Sequence, residues 1–152
     1  MTTTNADKTV IVFFDLGDTL VSDSAWIAGA KQMLAALRGR GVRLGIISNT
    51  GSMDRTQLAA HLPADFDLTQ FDASLIILSG EVGFEKPDSR IFDLAVERAG
   101  AGSIALFCNE DLLHSVAAQL SGLIAVRVMP PPASDVAALL SVLEGAKILA
   151  GQ

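Results

Sequence analysis

The chain has 152 residues, half of them apolar and 18% charged, with a formal net charge of −6. That length fits one domain able to bury roughly 70% of its unfolded surface, and the apolar content excludes a disordered chain, which combines low hydrophobicity with high charge. The acidic balance and the scatter of the few Lys and Arg exclude the basic stripe of a nucleic-acid binder; no apolar run approaches the roughly 20 residues that span a bilayer.

Residues 1–8 are polar and lack the apolar core of a secretory signal. Residues 9–14 (TVIVFF) form an apolar run rich in β-branched and aromatic side chains, which predicts a strand buried on both faces. Residues 24–38 carry Trp26, Ile27, Ala30, Met33, Leu34 and Leu37 at helical spacing, and Gly39 and Gly41 end that helix. Arg38, Arg40 and Arg43 read as cover for the end of the helix, where cations are favoured. A second buried strand follows at 42–47. Ser52 is a candidate cap for a short helix over 53–61, which Pro63 stops. Residues 74–78 predict a third strand. Pro87 stands where a helical turn begins, with Ile91, Phe92, Leu94, Ala95 and Ala99 on one face up to Gly100. A fourth strand is expected at 103–107, a helix at 111–120 and a fifth strand at 123–128. The three prolines at 130–132 make a stiff connector to a last helix that starts at Ser134 or Asp135 and runs to about Leu149.

Strands alternating with helices predict an α/β chain. The expected architecture is a three-layer α/β/α sandwich with a central parallel sheet, Rossmann-like, formed by one domain over 1–152. Ligands of such sheets bind at the carboxyl ends of the strands, near the switch point in strand order. The polar residues there are Asp15, Ser48 and Asn49, Ser79, and Asn109, Glu110 and Asp111.

Asp15 opens Asp15-Leu16-Gly17-Asp18-Thr19-Leu20 directly after the hydrophobic run. A carboxylate there can act as a nucleophile that accepts a phosphoryl group, or it can simply hydrogen-bond loop amides. Ser48 can donate its hydroxyl to a phosphoryl oxygen, and the Asn49 amide can add a second donor. Lys86, followed by Pro87, can offset negative charge on the nucleophile and the transferred group, or be an exposed loop lysine. Glu110 and Asp111 offer oxygen ligands to a hard cation such as Mg²⁺, or are acids of a first helical turn. His114 reads as a surface residue rather than a ligand. Cys108 is the only cysteine, so no internal disulfide forms; it reads as a buried, inert thiol and fits a cytoplasmic location.

Taken in order, four segments resemble the haloacid dehalogenase superfamily, most of whose members are Mg²⁺-dependent phosphatases. VIVFFDLGDTLV resembles its first motif, RLGIISNTG its second, SGEVGFEKPDSRIF the segment with its third-motif lysine, and ALFCNEDLLHSVAAQLSGLIAV its fourth. The resemblance implies that Asp15 is nucleophile and metal ligand. It implies that the Gly17 carbonyl and Glu110, with Asp111 beside it, complete the Mg²⁺ site. It further implies that Thr19 orders the loop and that Ser48, Asn49 and Lys86 hold the phosphoryl group.

The chain departs from the family pattern at three places. Gly17 stands where the family has its acid–base aspartate, with Asp18 adjacent, so Asp18 is the candidate substitute. Glu110 stands where an aspartate is usual, one methylene longer. Ser115 stands where another aspartate often supports the lysine. The spacing leaves little room for an inserted cap domain, so an open site is expected, taking a small or macromolecular phosphorylated substrate. A second subunit or partner would then supply any cover. The expected function is a phosphatase working through an aspartyl phosphate. The alternatives are a catalytically impaired binding or regulatory domain and, ranked last, a metal-independent dehalogenase.

Overall fold

The computed structural model describes residues 8–150; most of the polar stretch at 1–8 therefore lies outside the described residues. Strand β1 (Val10–Phe14) is buried at all five positions. Its side chains alternate between two cores, as the period of two in a strand requires. Val10, Val12 and Phe14 join one cluster with Met33, Leu34 and Leu37 of α1 (Ala30–Gly39) and Leu139 and Leu143 of α6 (Leu139–Gly145). Ile11 and Phe13 join the other, with Ile91, Phe92 and Ala95 of α4 (Ser89–Ala99) and Ala118 of α5 (Leu112–Ser121). A sheet with a core on each face makes the expected three layers.

The remaining core strands are β4 (Arg43–Ser48), β5 (Ile76–Leu78), β6 (Ile104–Asn109) and β7 (Ile124–Arg127). Spatial order is β5-β4-β1-β6-β7, and every pairing is parallel. The chain winds outward from β1 in both directions, so the switch point flanks β1. Phe14 aligns with Ile46 of β4 and with Cys108 of β6. Asp15 therefore emerges one residue beyond the level at which both neighbours are paired. Gly45 lets the layers close: a Cβ there would meet the Phe13 ring at 2.6 Å and the Leu75 carbonyl at 2.7 Å.

The helix predicted over 24–38 begins only at Ala30. Before it, β2 (Val21–Ser22) and β3 (Ala25–Trp26) form an antiparallel hairpin. Asp23 and Ser24 have φ of 50° and 61°, the left-handed pair that a two-residue hairpin turn needs. Trp26 then leaves the helical pattern. It stacks on Phe66 at 4.7 Å and donates its indole N–H to Asp65 at 2.7 Å.

Helix α2 (Arg55–Ala59) is capped by Asp54, not Ser52. Asp54 accepts from the Gln57 amide at 2.8 Å while Gln57 accepts from the Asp54 amide at 3.0 Å, a reciprocal pair that Ser52 is too far upstream to form. A short helix, α3 (Ser79–Val82), directly follows β5. Pro87 lies before α4, whose cap is Asp88. The last helix is a 3-10 turn at Val136–Ala138 followed by α6, and it ends well before Leu149. Of the three arginines assigned to a helix end, Arg38 is in the last turn of α1. Arg40 pairs with Glu144 of α6 and Arg43 with Asp72. No described helix is long and apolar enough to cross a membrane.

Candidate active site

Asp15 is held at the end of β1 by its own backbone. Its amide donates to the Cys108 carbonyl at 3.1 Å, and the Leu16 amide donates to its Oδ1 at 2.8 Å. The same Oδ1 faces Lys86 Nζ at 2.9 Å, in a pair whose side chains are only 13% and 1% exposed. Lys86 is thus no exposed loop lysine. An ammonium so deep is tolerated because a carboxylate neutralises it and the Phe107 ring lies 5.3 Å away.

Asn49 explains how Lys86 is held. Its Oδ1 accepts from the Lys86 amide at 2.8 Å, and its Nδ2 donates to the Lys86 carbonyl at 3.0 Å. The Asn49 side chain thus clamps the lysine backbone and leaves its backbone amide, the donor expected near a phosphoryl group, untouched. No sequence signal connects positions 37 residues apart. Ser48 ends β4 as a buried residue, and no protein group among the described residues engages its hydroxyl. Ser79, another strand-end candidate, is structural: its hydroxyl accepts from the Thr50 amide at 2.7 Å.

Beyond β6, Ser115 is coupled to the strand end. Buried Asn109 donates from Nδ2 to Ser115 Oγ at 2.9 Å, and Ser115 Oγ donates to the Asp111 carbonyl at 2.9 Å. Asn109 Oδ1 accepts from the Asp111 amide at 2.9 Å. This closed neutral network braces the loop presenting Glu110. The Asp111 carboxylate caps α5 through the His114 amide at 3.0 Å, and that bond above all holds it below the usual carboxylate range. Glu110 is half-buried and pushed above the usual range, first by burial and then by the charges of Asp15, Asp111 and Asp18.

His114 differs from its reading as a surface residue. It is half-buried, its Nδ1 has no partner among the described residues, and burial and the Lys86 charge lower its pKa. Cys108 behaves as expected: it is buried, and its thiol is pushed up to about 12, chiefly by burial.

The loop after Asp15 is a tight turn in which the amides of Leu20 and Val21 both donate to the Leu16 carbonyl. Thr19 is fully buried within it. Asp18 has φ 59°, and its Oδ1 accepts from the Ser22 hydroxyl at 3.1 Å. Its carboxylate is thus tied to the hairpin, though its charge still reaches Glu110. A Cβ built on Gly17 meets nothing within 4 Å.

The donors suit a hard cation, since carboxylate and carbonyl oxygens are what Mg²⁺ prefers. The acids around Glu110 outnumber the single Lys86. No three His, Cys, Asp or Glu side chains converge as a metal cage among the described residues. Two carboxylates, a backbone carbonyl and water would have to suffice, which is usual for Mg²⁺.

A family profile described as haloacid dehalogenase-like hydrolase matches residues 12–117. A glyceraldehyde 3-phosphate phosphatase of Methanothermobacter thermautotrophicus is 31% identical over 96 residues, covering 60% of this chain and 40% of that enzyme. The pyrimidine 5′-nucleotidase YjjG of Escherichia coli is 38% identical over 80 residues, covering 49% and 30%. Each match thus spans less than half the length of the relative. Among solved structures, a D,D-heptose 1.7-bisphosphate phosphatase of B. bronchiseptica, complexed with magnesium and phosphate, superposes with a TM-score of 0.67 at 15% identity. It covers 90% of this chain and 98% of that one.

Proposed function

Because this chain belongs to the haloacid dehalogenase-like hydrolase family, we propose that it is a phosphoric monoester hydrolase whose nucleophile is Asp15. The buried Asp15–Lys86 pair carries this reading: a strand-end carboxylate whose Oδ1 is already engaged by an ammonium and an amide keeps Oδ2 for attack. Asp15 attacks phosphorus, the ester oxygen leaves with a proton, and water cleaves the aspartyl phosphate to return Asp15 and inorganic phosphate. Lys86 offsets charge as the phosphoryl group arrives, while the Ser48 hydroxyl and the Asn49 backbone amide donate to its oxygens. Asp15, the Gly17 carbonyl and Glu110, with Asp111 beside them, would hold Mg²⁺, which when bound adds positive charge opposite the phosphoryl oxygens. The magnesium and phosphate of the heptose bisphosphate enzyme support that assignment.

Proton transfer is the weak step. Gly17 has no side chain, and Asp18, tied to the hairpin through Oδ1, has only Oδ2 to serve as acid and base. The hairpin and short helices around the rim support an open site without a sizeable cap, fit for small or macromolecular phosphoesters. The test is phosphate release from a panel of phosphoesters, with Mg²⁺ and with chelator. Release should require Mg²⁺ and vanish in Asp15→Asn, and a phosphoenzyme should be trapped by acid quench in the parent chain alone. Release that survives Asp15→Asn overturns the assignment.

The Asp18–Ser22 bond favours a second reading, a binding or regulatory domain with residual catalysis. Phosphate or vanadate binding that depends on Lys86, without turnover, would identify it.

A further inference from the structure

The hairpin that holds Asp18 is too small to hold itself. β2 and β3 contribute two residues each, Val21 facing Trp26 and Ser22 facing Ala25. Even a full hairpin is only marginally stable when isolated in water. Yet Asp18 depends on this one twice. Its amide donates to the Val21 carbonyl at 2.7 Å, and its Oδ1 accepts from the Ser22 hydroxyl at 3.1 Å.

Val21 and Ile27 are buried and root the ribbon in the core, which leaves it free to swing about that root. Trp26 supplies the sideways anchor. Its ring stacks on Phe66 with centroids 4.7 Å and planes 12° apart, and Phe66 stacks on buried Phe71 at 5.6 Å and 2°. Three nearly parallel rings thus run from the hairpin into the core, each contact stabilising beyond its buried area. The indole N–H donates to Asp65 Oδ1 at 2.7 Å, while Asp65 Oδ2 accepts from Lys31 Nζ at 2.6 Å. Lys31 and Asp65 have half-exposed side chains, so their ion pair adds little by itself. What it does is aim the carboxylate at the indole.

We propose that Trp26 and Asp65 are positioning residues for the Asp18 carboxylate. The inference rests on the hydrolase reading above, in which Asp18 Oδ2 carries the proton. Trp26 lies opposite Val21, whose carbonyl takes the Asp18 amide, and Ser22 beside it takes the carboxylate. A swing of the indole therefore reaches Asp18 through two hydrogen bonds, and a misplacement of about 1 Å can slow chemistry by about 100-fold. Among the described residues Trp26 and Asp65 bond to none of Asp15, Ser48 and Lys86, so their loss should act on kcat and spare KM.

The first test is amide hydrogen exchange, which needs no turnover. Trp26→Leu should speed exchange at the Asp18, Leu20 and Val21 amides by about 10-fold or more as the loop opens locally, while Val12 and Phe13 of β1 keep the parent's protection. Asp65→Ala, a change at an exposed residue, should do the same to a smaller extent if Trp26→Leu does not fold. Asp65→Asn, which keeps an oxygen for the indole, should restore the parent's rates. Trp26 is the only tryptophan and the chain has no tyrosine, so a red shift of emission in Asp65→Ala reports that the contact is broken. The second test is a double-mutant cycle on phosphate release. Trp26→Leu should lower kcat by about 10- to 100-fold with KM within about two-fold, and should cost nothing further in an Asp18→Asn chain, because residues acting through one group are not additive. Unchanged exchange at residues 18–21, equal acceleration in β1, or additive losses in the cycle would overturn the proposal. Asp18→Asn with unaltered kcat would instead strike the proton role of Asp18 and leave the exchange rates to decide whether Trp26 and Asp65 hold its loop.

Discussion

If the missing acid–base group is what limits this site, Gly17→Asp should raise phosphoester turnover by roughly 10²- to 10⁴-fold, or about 3–5 kcal/mol of barrier. The structure permits the change. A Cβ at Gly17 meets nothing within 4 Å and its φ is not left-handed, so the new carboxylate enters open space beside Asp15. The cost is electrostatic: a further negative charge joins the acids that already raise Glu110, and Mg²⁺ should offset it. Pairing the change with Asp18→Gly removes a left-handed non-glycine residue, worth about 1 kcal/mol. It also loses the exposed bond to Ser22, worth about 0.5–1 kcal/mol, so the double variant should be about as stable as the parent. The assay is steady-state phosphate release with saturating Mg²⁺, read beside urea unfolding of each protein. If both variants fold, bind Mg²⁺ and show no gain in kcat, the absent side chain at position 17 is not the limitation. If the parent already turns over at about 1 s⁻¹ or faster, Asp18 supplies the proton, and Asp18→Asn should then cost about 100-fold.

Asp15→Ala strands Lys86 as a buried unpaired charge and should cost about 3–5 kcal/mol in urea unfolding; a loss under 1 kcal/mol would mean that Lys86 finds water. Asn49→Leu removes both bonds to the Lys86 backbone and should cost about 1–3 kcal/mol and raise KM more than it lowers kcat, since it shifts the lysine without removing it. Glu110 has a raised folded-state pKa, so the stability it contributes is full below the ordinary 4.5 and is lost as pH rises through the folded value. Glu110→Gln should therefore melt higher than the parent at pH 7 without Mg²⁺, with the gain gone near pH 4.5; an equal gain at both pH values would contradict the charge argument. Cys108, buried with its thiol pushed up to about 12, should resist alkylation at pH 8 until the chain unfolds, a difference that mass spectrometry reads directly.

The core strands were legible because burial on both faces leaves short runs of β-branched and aromatic residues. Asp15, Ser48 and Glu110 were legible as polar residues ending such runs. The hairpin at 21–26 was not: Trp26 and Ile27 sit at helical spacing, yet Trp26 gains more from stacking on Phe66 and bonding Asp65 than from continuing a helix. The side-chain roles of Asn49 and Ser115 were not legible either, for a related reason. Their partners, the Lys86 backbone and Asn109, are chosen by strand order rather than by sequence distance.

Residue order alone settles the layered architecture and the strand ends at which chemistry can occur, because periodicity and chain termination of a strand are local properties. Whether Lys86 is buried against Asp15, whether Asp18 faces the reaction or the hairpin, and whether α5 keeps its leucines inside or out depend on what lies across the sheet. Hydrogen bonds and ion pairs reach only about 3 Å, so those outcomes exist only once distant segments are brought to the same rim.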